Sequence, residues 1–226
     1  VSAPAQSALL TRLLALDSCA VSDALDSLGL PPAVDGLSPL VLHRRIAGPA
    51  VTVKLGPERP TGAAVRHLGT AAIEASGPGD VIVIEHSSGA ECAGWGGVLS
   101  AGAQMNGVSG VVIDGAARDI DEARALAFPI FGRWATARTA RGRVYEQDFN
   151  CEITIGGVTV RPGDIAFADS SGVVFVPADR LEEIVKRAER IAERERLMVA
   201  ALRRGEPITE VVGRDYETML DKLGDS

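Results

Sequence analysis

The sequence predicts an α/β fold, and three observations carry that prediction. Residues 81–84 (Val-Ile-Val-Ile) and 111–113 (Val-Val-Ile) are unbroken apolar runs bounded by turn residues, the pattern of strands buried on both faces. Between and around them, apolar residues recur at helical spacing, giving a βαβ rhythm whose right-handed crossover brings successive strand ends to one side. At 226 residues and 46% hydrophobic, with only 4% aromatics and many small residues, the chain can bury a core of closely packed layers. It is read as a single domain over residues 1–226.

Taken in order, residues 5–16 carry Leu9, Leu10, Leu13 and Leu14 on one helical face. Asp17-Ser18 then reads as a break and N-cap for a second helix through Leu28, stopped by Gly29. Ser22 and Asp23 lie on its polar face. Residues 46–53 (Ile-Ala-Gly-Pro-Ala-Val-Thr-Val) predict strands interrupted by a turn at Gly48-Pro49. Residues 61–75 predict a helix with Ala64, Val65, Leu68, Ala72 and Ile73 inward, and residues 76–80 a turn into the 81–84 strand.

A polar loop, residues 85–92, follows that strand at its C-terminal end, where ligands collect in open α/β sheets. Next comes the stretch around which the chain is organised. Gly94-Trp95-Gly96-Gly97-Val98-Leu99 is a glycine turn opening into a helix that runs to about Asn106. The 111–113 strand then leads through Asp114-Gly115-Ala116-Ala117 to the adjacent pair Arg118-Asp119. A helix opening presents backbone N–H groups to an anion. A guanidinium grips carboxylates, and an aspartate oxygen is a hard ligand for Mg²⁺ or Mn²⁺. Together these residues predict a pocket for a small acid held against a divalent metal.

Further on, residues 122–126 predict a short helix and 129–132 a strand. Residues 152–160 predict a hairpin turning at Gly156-Gly157. Two more strands, 165–168 and 173–176, flank a polar turn, and a charged helix over about 178–204 closes the fold before a short tail.

Charge and cysteine usage bound the function. A net charge of −7 gives no basic patch for nucleic acid or an anionic membrane. Cys19, Cys92 and Cys151 are scattered without CxxC spacing, which favours a reduced, cytoplasmic setting. No charged-then-apolar leader and no membrane-length apolar run is legible. The Gly94–Gly97 cluster lacks the GxGxxG of a dinucleotide loop. His43, His67 and His86 lack metal-ligand spacing and read as surface or structural residues, and Cys92 reads as a small packing residue.

These residues resemble the RraA-like family, which includes class II 4-hydroxy-4-methyl-2-oxoglutarate/4-carboxy-4-hydroxy-2-oxoadipate aldolases and regulators of ribonuclease activity A. The resemblance runs nearly the whole chain. It is carried by residues 17–25, the 76–81 turn, Trp95 to Leu99, residues 112–119, residues 156–164 and the closing helix. It implies a layered α-β-β-α sandwich of the swivelling β/β/α type, assembled as a homotrimer or a dimer of trimers. It also implies a small 2-oxo acid lying on the backbone of Gly96, Gly97, Val98 and Leu99 and on Arg118, with Asp119 holding Mg²⁺. The aldolase motif is an acidic residue, twenty residues, then Arg-Asp. Here Gly97 stands at the acidic position.

The expected activity is therefore metal-dependent carbon–carbon cleavage releasing pyruvate. Oxaloacetate decarboxylation, which needs no base for a hydroxyl proton, is favoured over aldol cleavage. Glu91, Glu85, a neighbouring subunit's Glu193 or Glu195, or metal-bound water are the candidate bases. The alternative is a non-catalytic regulator that binds a ribonuclease.

Overall fold

The computed structural model describes residues 3–60, 66–86 and 89–213. In chain order, helices α1 (Ala3–Leu14) and α2 (Ser18–Asp26) precede strands β1 (Ser38–Val41) and β2 (Ile46–Gly56). Helix α3 (Thr70–Ala75), strands β3 (Val81–His86) and β4 (Ala93–Trp95), and helix α4 (Gly97–Met105) follow. Next come β5 (Gly110–Ala117), α5 (Ile120–Ala125), β6 (Ile130–Ala135) and β7 (Tyr145–Phe149). Strands β8 (Ile153–Ile155), β9 (Val158–Val160), β10 (Ile165–Ala168) and β11 (Val173–Val176) lead to helices α6 (Leu181–Arg203) and α7 (Ile208–Val211). Contacts gather these elements into two compact units: Ala33–Ala178, and the N-terminal residues to Pro32 together with those from Asp179 onward.

The Ala33–Ala178 unit is a mixed α/β fold built on a sheet with strand order β1-β6-β5-β3-β2-β10-β11, in which β4 also pairs with β5 and β7 with β2. The middle strands β2, β3, β5 and β6 are parallel. The pairs at both ends are antiparallel. The apolar run of β3 is buried on both faces, as its composition predicts. Ile82 and Ile84 pack with Ala72, Leu99, Ala103 and Ala123 from α3, α4 and α5. Val81 and Val83 pack instead with Ile153, Ile155, Val160 and Phe175, from the β8–β9 hairpin and β11. One face of the sheet is thus helical and the other is covered by β structure.

Three local expectations are corrected. Residues 46–53 form one continuous strand, not two, because β2 changes partner along its length: Ile46 to Pro49 pair with β10 and Ala50 to Leu55 with β3. Pro49 stands where one ladder ends and the next begins, a position that tolerates a missing N–H. Gly48 is required by close approach, since a Cβ there would lie 1.9 Å from the Gly79 carbonyl oxygen. Of the helix predicted over 61–75, the described residues form Thr70–Ala75. It starts after Gly69, whose φ of 72° ends the preceding turn, and residues 61–65 lie outside the described residues. Strands β1 and β7 carry no clear alternation in sequence and were not anticipated. The glycine hairpin forms as expected, with Gly156 and Gly157 both at positive φ (54° and 89°) between β8 and β9.

In the other unit, Asp17 caps α2 by accepting from the Ala20 N–H at 2.9 Å, the role its sequence position predicts. Helices α1 and α2 pack on α6. The Arg12 guanidinium meets the Glu189 carboxylate through two hydrogen bonds of 2.8 and 2.6 Å. The closing helix predicted over 178–204 is a 3-10 turn (Ala178–Arg180) continuing into α6. No helix among the described residues is long and apolar enough to cross a membrane.

Candidate active site

The site begins with a tryptophan. Trp95 closes β4 and is 1% exposed, its ring stacked near Phe128 at 6.4 Å between centroids. Its indole N–H donates to the Ser100 hydroxyl at 2.9 Å, and that hydroxyl donates to the Gly96 carbonyl at 3.0 Å. The Arg118 backbone N–H donates to the Trp95 carbonyl at 2.9 Å. Trp95 therefore fixes both the turn that opens α4 and the chain leaving β5.

Helix α4 starts without a side-chain cap at Gly96. Its first intrahelical bond is from the Ser100 N–H to the Gly96 carbonyl, which leaves the N–H groups of Gly97, Val98 and Leu99 without a partner inside the helix. The Gly97 N–H is taken by the Asp119 carboxylate at 3.0 Å. Asp119 adopts a left-handed φ of 56°, uncommon for a residue other than glycine, and this single residue turns the chain from β5 into α5. The Arg118 Nε donates to the other Asp119 oxygen, also at 3.0 Å. The Gly97 N–H, and secondly the Arg118 guanidinium, hold the Asp119 carboxyl below its usual range.

All six residues singled out from the sequence (Gly96, Gly97, Val98, Leu99, Arg118 and Asp119) border one cavity of about 530 Å³, a volume suited to a small ligand. Its walls include residues that sequence reasoning passed over. Arg66, His67 and Leu68, one stretch of chain, line it, as do Thr139, Arg141 and Tyr145. His67, read as a surface or structural residue, lines the cavity. The arginine-rich run 138–143 was the available signal for an anion-facing wall, but no periodicity ties it to the Gly96 turn.

The missing acid at Gly97 has a neighbour. A Cβ on Gly97 would stand 3.2 Å from the Asp119 Cβ and 3.3 Å from the Glu122 Cβ. Glu122, in the first turn of α5, thus has its Cβ beside Gly97, and its side chain is exposed. Glu122 lies three positions after Asp119, about one helical turn, and that spacing was its only trace in the sequence.

Of the other carboxylates considered from sequence, Glu85, Glu91 and Glu193 have partners outside the cavity lining. Glu85 belongs to β3, not to a loop; it is 7% exposed and accepts from the Thr154 N–H at 2.7 Å, with Lys54 at 3.7 Å. Its register neighbour Asp114 on β5 accepts from the Gly156 N–H at 2.7 Å and from the Arg133 guanidinium. These two carboxylates clamp the β8–β9 hairpin to the sheet. Glu91 is exposed and paired with Arg138 at 3.0 Å. Glu193 is paired with Arg196 within α6 at 2.7 Å, and Glu195 belongs to the same helix. Cys92 is fully buried, and burial pushes its thiol up, as suits a packing residue.

Comparison with known proteins identifies the family. The family described as "RraA-like: Aldolase/RraA" matches residues 18–175. DlpA of Legionella pneumophila is 34% identical over 208 residues, 92% of this chain; the chain spans about a third of DlpA's length, 34%. A Halalkalibacterium halodurans protein named "Putative 4-hydroxy-4-methyl-2-oxoglutarate aldolase" is 35% identical over 80% of this chain and 82% of its own. Among solved structures, an uncharacterized protein from Pseudomonas syringae superposes with a TM-score of 0.81, at 31% identity, over 92% of this chain and 98% of that one. Streptomyces coelicolor RraAS2, described as an unusual member of the RNase ES inhibitor RraA family, has a TM-score of 0.75 at 28% identity, covering 84% and 94%. The Gly96 turn facing Arg118-Asp119 lies inside the matched span, and the chain belongs to the RraA-like family.

Proposed function

We propose that this chain is a divalent-metal-dependent carbon–carbon lyase that releases pyruvate from a small 2-oxo acid. Oxaloacetate decarboxylation is the favoured reaction and 4-hydroxy-4-methyl-2-oxoglutarate-type aldol cleavage the weaker one. The observation that carries the reading is the Arg118-Asp119 pair set against the amide end of α4, with Asp119 bound to the Gly97 N–H at 3.0 Å. The names of relatives such as the Halalkalibacterium halodurans protein support the lyase class.

The donor set fits Mg²⁺ or Mn²⁺. Among the described residues no three His, Cys, Asp or Glu side chains form a metal cluster. Asp119 and Glu122 would therefore hold the ion with one or two carboxylates, leaving other positions to water and substrate oxygens, as Mg²⁺ prefers. When bound, the ion supplies Lewis-acid polarisation of the 2-oxo acid. The chain's own groups do the rest. The Val98 and Leu99 N–H groups, at the positive end of the α4 dipole, receive the substrate carboxylate. Arg118 puts a fixed cation beside the oxygen on which charge develops as the bond beyond the pyruvyl unit breaks. Decarboxylation has no hydroxyl proton to remove. Aldol cleavage does, and Gly97 offers no side chain to take it.

A coupled pyruvate assay tests the reading. Oxaloacetate turnover should require Mg²⁺ or Mn²⁺, exceed aldol cleavage by at least about tenfold, since a general base is worth about 10²–10⁴-fold, and vanish in Asp119→Asn. Full turnover in that variant overturns the site. Absence of turnover with any divalent ion, together with binding to a ribonuclease, would favour the regulator reading suggested by the description of RraAS2. We further propose a homotrimer or dimer of trimers; a monomer by light scattering at micromolar concentration refutes it.

A further inference from the structure

One carboxylate beside the cavity has no part in the proposed chemistry. Glu146, on β7, is half-buried and feels the charges of Arg66 and His67, which line the cavity. Its Oε2 accepts from the Gly69 backbone N–H at 2.6 Å, a short bond of the kind a charged acceptor makes. Gly69 is the left-handed hinge, φ 72°, between the wall residues Arg66, His67 and Leu68 and helix α3. A Cβ on Gly69 would stand 3.2 Å from the ring of Trp95, so this hinge lies directly on the tryptophan that fixes the α4 turn. The neighbouring residue Tyr145 lines the same cavity.

We propose that Glu146 is the positioning residue of the cavity wall: its ionised carboxylate holds the Gly69 hinge, and with it Arg66, His67 and Leu68, against Trp95. Removing the charge loosens the wall. The inference concerns the cavity itself and does not rest on the proposed lyase chemistry.

The groups that face Glu146 give this device a pH window. Burial is the largest influence and raises its carboxyl; Asp148 raises it further, while the Gly69 N–H, Arg66 and His67 oppose the rise. The net direction is upward from the ordinary value of 4.5. The anionic clamp is therefore lost on acidification at a pH above that at which an exposed glutamate titrates. Asp119 shifts the opposite way, so the two carboxyls separate on a pH scale.

Trp95 supplies a readout that needs no substrate. In a Trp134→Phe background it is the remaining tryptophan, and its emission against pH should show a transition with a midpoint above 4.5. Glu146→Gln, which keeps an acceptor oxygen but cannot ionise, should abolish that transition while the far-UV circular dichroism stays unchanged. Asp148→Asn, at an exposed position, should move the midpoint down, and this holds even if the Gln variant folds poorly. A transition that persists in Glu146→Gln belongs to another group and overturns the proposal. So does a parent protein with no transition above 4.5, or an Asp148→Asn midpoint that does not fall.

Discussion

Gly97→Asp restores the acid that the aldolase motif carries, and its consequence can be worked from geometry. The new Cβ would stand 3.2 Å from the Asp119 Cβ, 3.3 Å from the Glu122 Cβ and 3.6 Å from the nearer Asp119 oxygen. Those contacts are tight but involve side chains, and the backbone there does not need glycine's left-handed freedom. The electrostatic cost is larger than the steric one. Two like charges about 5 Å apart repel by about 3 kcal/mol at an effective dielectric constant of about 20. The Asp119 side chain is 31% exposed and Glu122 is at the surface, so water reduces this to about 1–2 kcal/mol. An acid in the first turn of α4 returns about 0.3–1 kcal/mol through the helix dipole. The net loss, about 1 kcal/mol, lowers Tm by roughly 2–4 °C in a chain of this size. On the proposed metal site, a divalent cation shared by the three carboxylates would reverse the balance. In differential scanning fluorimetry, Gly97→Asp should melt below the parent in EDTA and gain more than the parent from millimolar Mg²⁺. A variant as stable as the parent in EDTA and no more responsive to Mg²⁺ would refute the placement of Asp119 and Glu122 around one ion.

Other consequences can be checked alongside. The Asp119 carboxyl titrates below its ordinary value of 3.8, so it contributes stability that is fully present above that pH and lost as pH falls through the lower, folded-state value. Urea melts of the parent and Asp119→Asn should therefore differ at pH 5 and converge towards pH 2; a constant difference would refute this. Asp114→Ala strips the carboxylate from the part-buried Arg133 and from the Gly156 N–H, and should cost about 2 kcal/mol in urea unfolding, below the 3–5 kcal/mol of a fully buried pair because Arg133 is 32% exposed. Adding Arg133→Ala should recover part of that loss. Equal stabilities of the two variants would show that the pair is not coupled.

Much of this protein was legible in the chain because the signals are local. The apolar run of β3 announces a strand buried on both faces, Asp17 is the cap its position promises, and Gly156-Gly157 makes the hairpin two positive-φ residues demand. The pocket residues were also legible, since a helix opening and a strand end each carry their chemistry within a few residues. What the chain could not disclose depends on residues distant in sequence. The continuity of β2 through Gly48-Pro49 is decided by a change of partner from β10 to β3, so a local turn signal is overridden by two ladders. Glu85 reads as a loop acid but is buried by a hairpin 69 residues away. Glu146 lies in a strand the sequence did not announce, and its carboxylate lies 2.6 Å from the Gly69 N–H, 77 residues distant. Glu122 comes beside Gly97 only because the left-handed turn at Asp119 aims α5 at the start of α4. Periodicity determines which face of an element is buried. Only the packed structure decides which charged groups from separate elements share one space.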